Sequence, residues 1–107
     1  ALIEKKLLLL GVESENCIYC KKMHKDIFDS NRAMYKINKG YIYRKLVVEK
    51  DKLPDFIEVK YFPTHFVIEP KDKQVLDEFV GYVRPRDFVE YLHIIYKQEE
   101  PKLRPQF

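Results

Sequence analysis

Cys17 and Cys20 are the only cysteines in the 107-residue chain, and two residues separate them. They sit in the stretch Glu15-Asn16-Cys17-Ile18-Tyr19-Cys20-Lys21-Lys22-Met23-His24, after the apolar run Leu7–Leu10 and before a segment with helical spacing. A strand, a short loop and a helix opening on the first sulfur is the setting of a thiol–disulfide redox site. The first turn of a helix presents unpaired N–H groups and favours negative charge. With Asn16 as the cap, Cys17 is expected to be the first helical residue, its thiolate stabilised by the helix end and assisted by Lys21. Such surroundings lower a thiol pKa from about 8.5 by roughly one to several units. Cys20, three residues on and nearer the core, is placed to attack a mixed disulfide at Cys17. Cys17 is therefore assigned as nucleophile and Cys20 as resolving thiol.

A C-x-x-C pair can serve other chemistry. Haem attachment is excluded because Lys21, not His, follows Cys20, and a four-cysteine zinc site is impossible. A metal-binding module using Cys17, Cys20, His24 and His65 is the alternative, with zinc held by two sulfurs and two imidazoles. Copper bound by the two thiolates is a variant. Against the four-ligand site, strand alternation should send Thr64 and His65 to opposite faces.

The elements that must hold the pair follow from composition and pattern. The length suits one domain, and 46% hydrophobic residues with 15 Phe and Tyr can fill a core. The net charge of +3 comes from dispersed residues, so no nucleic-acid stripe is present, and no apolar run is long enough to span a membrane. Lys5-Lys6 before four leucines resembles a signal-peptide remnant, but the apolar core is short and no small-residue cleavage pattern follows; a buried strand over residues 5–11 is the better reading. The chain begins with Ala, which suggests a processed or trimmed form.

After the cysteines, Cys20, Met23, His24, Ile27 and Phe28 share one helical face, opposite Lys21, Lys22, Lys25, Asp26 and Asp29. Met23, Ile27 and Phe28 read as core. His24, on the border, reads as a half-buried structural histidine, with proton transfer or metal binding as the alternative. Residues 30–40 are polar and irregular, and the helix is expected to run on through Met34-Tyr35 before Asn38-Lys39-Gly40 breaks it. A strand over residues 41–49 follows, with Leu46-Val47-Val48 as its buried part. A short helix over residues 53–59 carries Pro54 in its first turn. Pro63 leads into a strand ending near Glu69, Lys71-Asp72-Lys73 turns the chain, and residues 75–80 return. Pro85 opens the last helix, with Phe88, Leu92 and Ile95 inward and Arg86, Glu90, His93 and Lys97 in water. A domain of residues 1–98 and a loose tail over 99–107 complete the chain. The order β-α-β-α-β-β-α gives an α/β fold, a four-stranded mixed sheet with helices on both faces.

These landmarks together resemble the thioredoxin superfamily. Cys17-Ile18-Tyr19-Cys20 resembles its active-site motif. Phe62-Pro63-Thr64 resembles its cis-proline loop. Val80-Gly81 before the Phe88–Leu92 helix resembles its last strand, glycine and helix. Cys-x-Tyr-Cys-Lys-Lys-Met looks most similar to the bacterial thioredoxin-like group often found outside the cytoplasm. The resemblance implies a thioredoxin-like fold, a redox-active disulfide with no other cofactor, and a substrate surface made by Ile18, Tyr19, Phe62, Pro63 and Thr64. Pro63 lacks an N–H, and the bend would set the Phe62 backbone beside the sulfurs, free to pair with an extended substrate strand; an ordinary trans turn proline is the alternative.

Departures from the family are equally specific. The extra N-terminal strand and helix of thioredoxin have no room here. The family's buried aspartate would fall near Gly11, so that proton acceptor is missing. Glu13 or Glu15 could replace it, although an exposed, solubilising role suits both better. Asn16 stands where the family has Trp, and Ile18-Tyr19 differs from Gly-Pro.

The activity expected is thiol–disulfide exchange with protein thiol or disulfide substrates and a redox partner protein, by a monomer, with no nucleic acid involved. The third reading is a non-catalytic adaptor whose exposed Phe62 and Tyr19 bind a partner strand. Cysteines confined to one redox pair fit a processed periplasmic protein, the compartment adopted, and also a cytosolic one.

Overall fold

The computed structural model describes residues 6–103, with the side chain of Leu103 excepted. The start of the expected first strand, the Ala1–Lys5 part of the signal-peptide question and the end of the tail at 104–107 lie outside these residues.

The elements run β1 (Leu7–Glu13), α1 (Ile18–Met23), a π-helical turn (His24–Phe28), α2 (Asn31–Asn38), β2 (Tyr41–Val47), β3 (Thr64–Glu69), β4 (Gln74–Val80) and α3 (Pro85–Leu103). The four strands form one mixed sheet in the order β2-β1-β3-β4. β1 is parallel to β2, from Leu7↔Tyr41 to Glu13↔Val47, and antiparallel to β3, from Leu8↔Ile68 to Val12↔Thr64. β3 and β4 form the hairpin, with a register shift at Val67/Ile68.

β1 is central and flanked on both sides, which is why its side chains are almost all buried rather than alternating. Its odd positions face the helices: Leu7 and Leu9 pack with Met23, Ile27, Ile37, Tyr41, Val67, Phe88 and Leu92. Its even positions face the other way, where Leu10 and Val12 pack with Ile57, Phe66 and Ile68. The Tyr41 hydroxyl donates to the Leu92 carbonyl at 2.6 Å and ties β2 to α3.

Several expectations are corrected. The second face is covered by an irregular segment, not by a helix: residues 53–59 contain a turn, with the Ile57 N–H on the Pro54 carbonyl at 3.1 Å, and contribute Leu53, Ile57 and Val59 as apolar plugs. Asp55-Phe56 and the flanking prolines and lysines give too little apolar spacing to hold a helix on the sheet. Residues 31–38 form a separate helix, because the Ser30 side chain caps it through the Ala33 N–H at 3.2 Å and Ala33 and Ile37 are buried. The most buried residue of β2 is Tyr41, while Leu46 and Val47 are half-buried, because β2 is an edge strand whose far end lies under the irregular segment. The last helix continues to Leu103 and includes Pro101, so residues 99–103 are helical and not loose.

Candidate active site

The sheet register brings the two motif loops to one end of the molecule. Val12 pairs with Thr64, so the Ser14–Asn16 loop leaving β1 and the Tyr61–Pro63 bend entering β3 emerge side by side. Glu49, just beyond β2, braces the first loop: its carboxylate accepts from the Ser14 hydroxyl at 2.5 Å and from the Glu15 N–H at 3.0 Å. These bonds, the Ser14 hydroxyl first, hold the Glu49 carboxyl below its ordinary pKa. Sequence spacing gave no signal for this long-range brace.

Cys17 and Cys20 are joined as a disulfide with their Cα atoms 5.2 Å apart. Cys17 is half-buried and Cys20 is 2% exposed, so an incoming group can reach the first sulfur and not the second. The expected capping is corrected. Cys17 itself, in an extended conformation, caps α1, and its Sγ accepts the Cys20 N–H at 3.1 Å. The sulfur takes the place of the side-chain oxygen that a Ser or Asn cap would supply, so Asn16 lies outside the helix. The same donor would face a thiolate at Cys17 after reduction, which favours the charged form. Lys21 is exposed, and its N–H donates to the Cys17 carbonyl at 3.2 Å.

Ile18 and Tyr19 stand out from the helix at 80% and 59% exposure, large apolar groups with no covering element among the described residues. The Phe62–Pro63 peptide bond is cis. Pro63 is buried, with its carbonyl accepting the Gly81 N–H at 2.7 Å, and Phe62 is half-buried against the irregular segment. Thr64 is buried and its hydroxyl donates to the Tyr61 carbonyl at 2.7 Å, which closes the bend. Gly81 adopts φ +84°, a left-handed conformation that glycine takes without strain. From the next residue, the Tyr82 hydroxyl donates to Asp26 at 2.6 Å, and the Val83 N–H points at the Met23 sulfur at 3.3 Å. The helix carrying the cysteines is thereby fixed to the segment that follows β4.

Glu13, His24 and His65, which the sequence reading weighed one by one, lie near one another on the helix-covered side of the sheet. Glu13 is buried, not exposed, and its carboxylate accepts from Nε2 of the half-buried His24. The signal was available: Glu13 has the parity of Leu7, Leu9 and Gly11, which places it on the helix-covered face. Glu15 is exposed, as expected. His65 is fully buried, and neither ring nitrogen has a hydrogen-bond partner among the described residues. It stacks on Phe28 and meets Phe88 edge-on, both at 5.3 Å between ring centres. Desolvation, with the nearby His24 charge as a smaller contribution, pushes its pKa down to about 4. Its ring fills the space over its cross-strand partner Gly11, where a Cβ would lie 3.0 Å from His65 Cδ2. The position of the missing family aspartate is thus occupied by an imidazole from the neighbouring strand.

The four-ligand metal alternative fails on geometry. Among the described residues no group of three or more His, Cys, Asp or Glu could hold a metal ion. His24 is committed to Glu13, and His65 is packed among rings.

A mixed sheet that presents a disulfide at the start of a helix, beside a cis-proline bend, defines a thioredoxin-type site. The family model of the thioredoxin-like domain matches residues 1–95, and the chain belongs to that family. Its structure is similar to the periplasmic thioredoxin SoxS from Paracoccus pantotrophus in its reduced form, with 22% identity, 89% of this chain and 100% of that chain covered, and a TM-score of 0.68. It is also similar to a thioredoxin-fold protein from Helicobacter pylori (18% identity, 91% and 73% covered, TM-score 0.77). A third likeness is to the C-terminal domain of Neisseria meningitidis DsbD in the reduced form (16% identity, 87% and 90% covered, TM-score 0.65). Comparison by sequence with curated proteins finds no match. No helix among the described residues is long and apolar enough to cross a membrane.

Proposed function

We propose that the protein is a thiol–disulfide oxidoreductase that exchanges disulfides with protein substrates through Cys17 and Cys20. The observation that carries this reading is the asymmetric pair: a disulfide whose first sulfur is reachable and whose second is buried one turn into the helix. In the reducing direction, Cys17 thiolate attacks a substrate disulfide, one substrate sulfur leaves as thiolate, and a mixed disulfide forms at Cys17. Cys20 thiolate then attacks Cys17 Sγ, the second substrate sulfur leaves, and the Cys17–Cys20 bond is restored. Two electrons pass to the substrate. The reverse order oxidises a substrate dithiol.

Ile18, Tyr19 and the backbone at Phe62 are the surface offered to the substrate, with the buried Pro63 and Thr64 setting the bend from below. The Phe62 backbone is the partner for an extended substrate strand, and the apolar Ile18 and Tyr19 contact its side chains. Thr64, with its hydroxyl spent on Tyr61, shapes the bend rather than bonding substrate directly. Lys21 assists the Cys17 thiolate as a nearby exposed cation. A redox partner protein reloads the pair, and its potential relative to the compartment sets the direction, about 30 mV corresponding to roughly 1.4 kcal/mol. The periplasm is the compartment proposed, in line with the likeness to a periplasmic thioredoxin.

The test is insulin reduction driven by dithiothreitol. Wild type should precipitate insulin faster than the Cys17→Ser variant. Equal rates would refute exchange and leave the adaptor reading.

A further inference from the structure

Away from the disulfide, α2 and α3 leave a groove of about 850 Å³ between them, and no residue of the cysteine motif or the proline bend lines it. Its floor is apolar: Ala33, Ile37 and Leu92 are buried and Val89 is half-buried. Its rims are cationic. Arg32, Lys36 and Lys39 stand exposed on the α2 side, and Arg86 and Lys97 stand exposed on the α3 side. Helical spacing explains the pattern, since Ala33 and Ile37 form one row a turn apart and Arg32 and Lys36 form the row beside it. Two carboxylates, Asp26 and Glu90, also line the groove, and Asp26 is already engaged by Lys22 at 3.3 Å and by the Tyr82 hydroxyl. Lys97 reaches Glu100 at 3.8 Å, and Lys39 lies over the Tyr35 ring. Arg32, Lys36 and Arg86 have no ion-pair partner among the described residues.

The layout of charge selects an occupant. By helical rise, Arg32 to Lys39 spans about 10 Å and Arg86 to Lys97 about 16 Å, so the cations are drawn out along two lines and do not converge on a single phosphate. A phosphate chain carries its charge without an apolar ridge to fill the floor, and an anionic bilayer is flat. An amphipathic helix with acidic flanks offers both features at once: an apolar ridge, and carboxylates on either side of it. An extended strand does not, because alternation sends its carboxylates to the face turned away from the groove.

We propose that the groove between α2 and α3 is a docking site for an acidic amphipathic helix of a partner protein. The apolar ridge of that helix sits on Ala33, Ile37 and Val89. Its carboxylates pair with Arg32 and Lys36 on one rim and with Arg86 on the other. Binding there needs no chemistry at the sulfurs, so the groove is a recognition surface separate from the exchange reaction. Exposed ion pairs are individually weak and screened by salt, so the contact is salt-sensitive and depends on the apolar floor as well.

The probe is a fluorescein-labelled peptide of about 12 residues, made of Glu, Ala and Leu with the leucines at helical spacing and glutamates flanking them, which matches the groove in length when helical. Its anisotropy should saturate on titration with the full chain at low salt, and the affinity should fall as salt is raised. The combined variant Arg32→Gln, Lys36→Gln, Arg86→Gln should bind about tenfold more weakly. A control with Lys45→Gln, Lys60→Gln and Lys71→Gln removes the same charge from exposed positions elsewhere and should stay within about twofold of wild type. A peptide with Gln in place of each Leu should also lose about tenfold. Amide shifts of the wild type on adding the peptide should concentrate at Ala33, Ile37, Gly40 and Val89, which keeps the test open should the triple variant fold poorly. No binding, equal losses in the triple variant and the control, or shifts centred elsewhere would overturn the proposal. Tighter competition by polyphosphate or by phosphatidylglycerol vesicles than by unlabelled peptide would overturn it in favour of those occupants. Shifts at the same amides on concentrating the protein alone, which would mark a second copy in the groove, would overturn it too.

Discussion

Lowering the pH from 7 to 5 should destabilise the protein through His65 in particular. The ring is wholly buried between Phe28 and Phe88, and its nitrogens lack partners among the described residues, so only the neutral form is accommodated. In the unfolded chain the group titrates near 6.5; in the fold it is pushed down to about 4. Between those values the unfolded state binds the extra proton, so stability is fully present above the unfolded value and is lost as the pH falls towards the folded one. Linkage gives a loss of about 2 kcal/mol between pH 7 and pH 5, and about 3 kcal/mol in all below pH 4. Urea unfolding of the oxidised protein, followed by circular dichroism at half-unit pH steps, measures it. Carboxylates titrate in the same window, so the informative quantity is the difference in slope between wild type and His65→Leu, which cannot titrate there. The variant should lose about 2 kcal/mol less over that range. Parallel stability curves for the two proteins would refute the claim that His65 is buried neutral.

Further outcomes follow from single contacts. Glu49→Ala removes both bonds to the loop before Cys17; hydrogen exchange at the Glu15 amide should quicken by about tenfold, and an unchanged rate would show that the brace is idle. Tyr41→Phe leaves the Leu92 carbonyl without its side-chain donor and should cost about 1 kcal/mol in urea unfolding. Lys21→Glu should slow iodoacetamide alkylation of reduced Cys17 at neutral pH by roughly two- to threefold, an exposed charge being screened; equal rates would remove Lys21 from the site.

The redox pair, the proline bend and the four strands were legible because each depends on local chemistry: spacing of two sulfurs, a residue without an N–H, runs of β-branched and aromatic side chains. What was not legible depended on register. Glu13 looked exposed as an isolated charge, and only its parity with Leu7 and Leu9 in a central strand sends it under the helix. His65 fits because Gly11 stands opposite it, a fact about pairing between distant segments. The helix expected over residues 53–59 failed for a related reason: Leu53, Ile57 and Val59 are used as separate contacts on the sheet, which an irregular chain can deliver. The cap moved by one residue because the disulfide sulfur competes with Asn16 for the free N–H.

The central claim is tested most directly by trapping. Cys20→Ser, reduced and mixed with a disulfide-bonded peptide, should retain one peptide chain covalently at Cys17, visible by intact mass and released by dithiothreitol. Cys17→Ser treated alike should retain none. An adduct on neither variant, or only on the one that lacks Cys17, would contradict exchange through this pair.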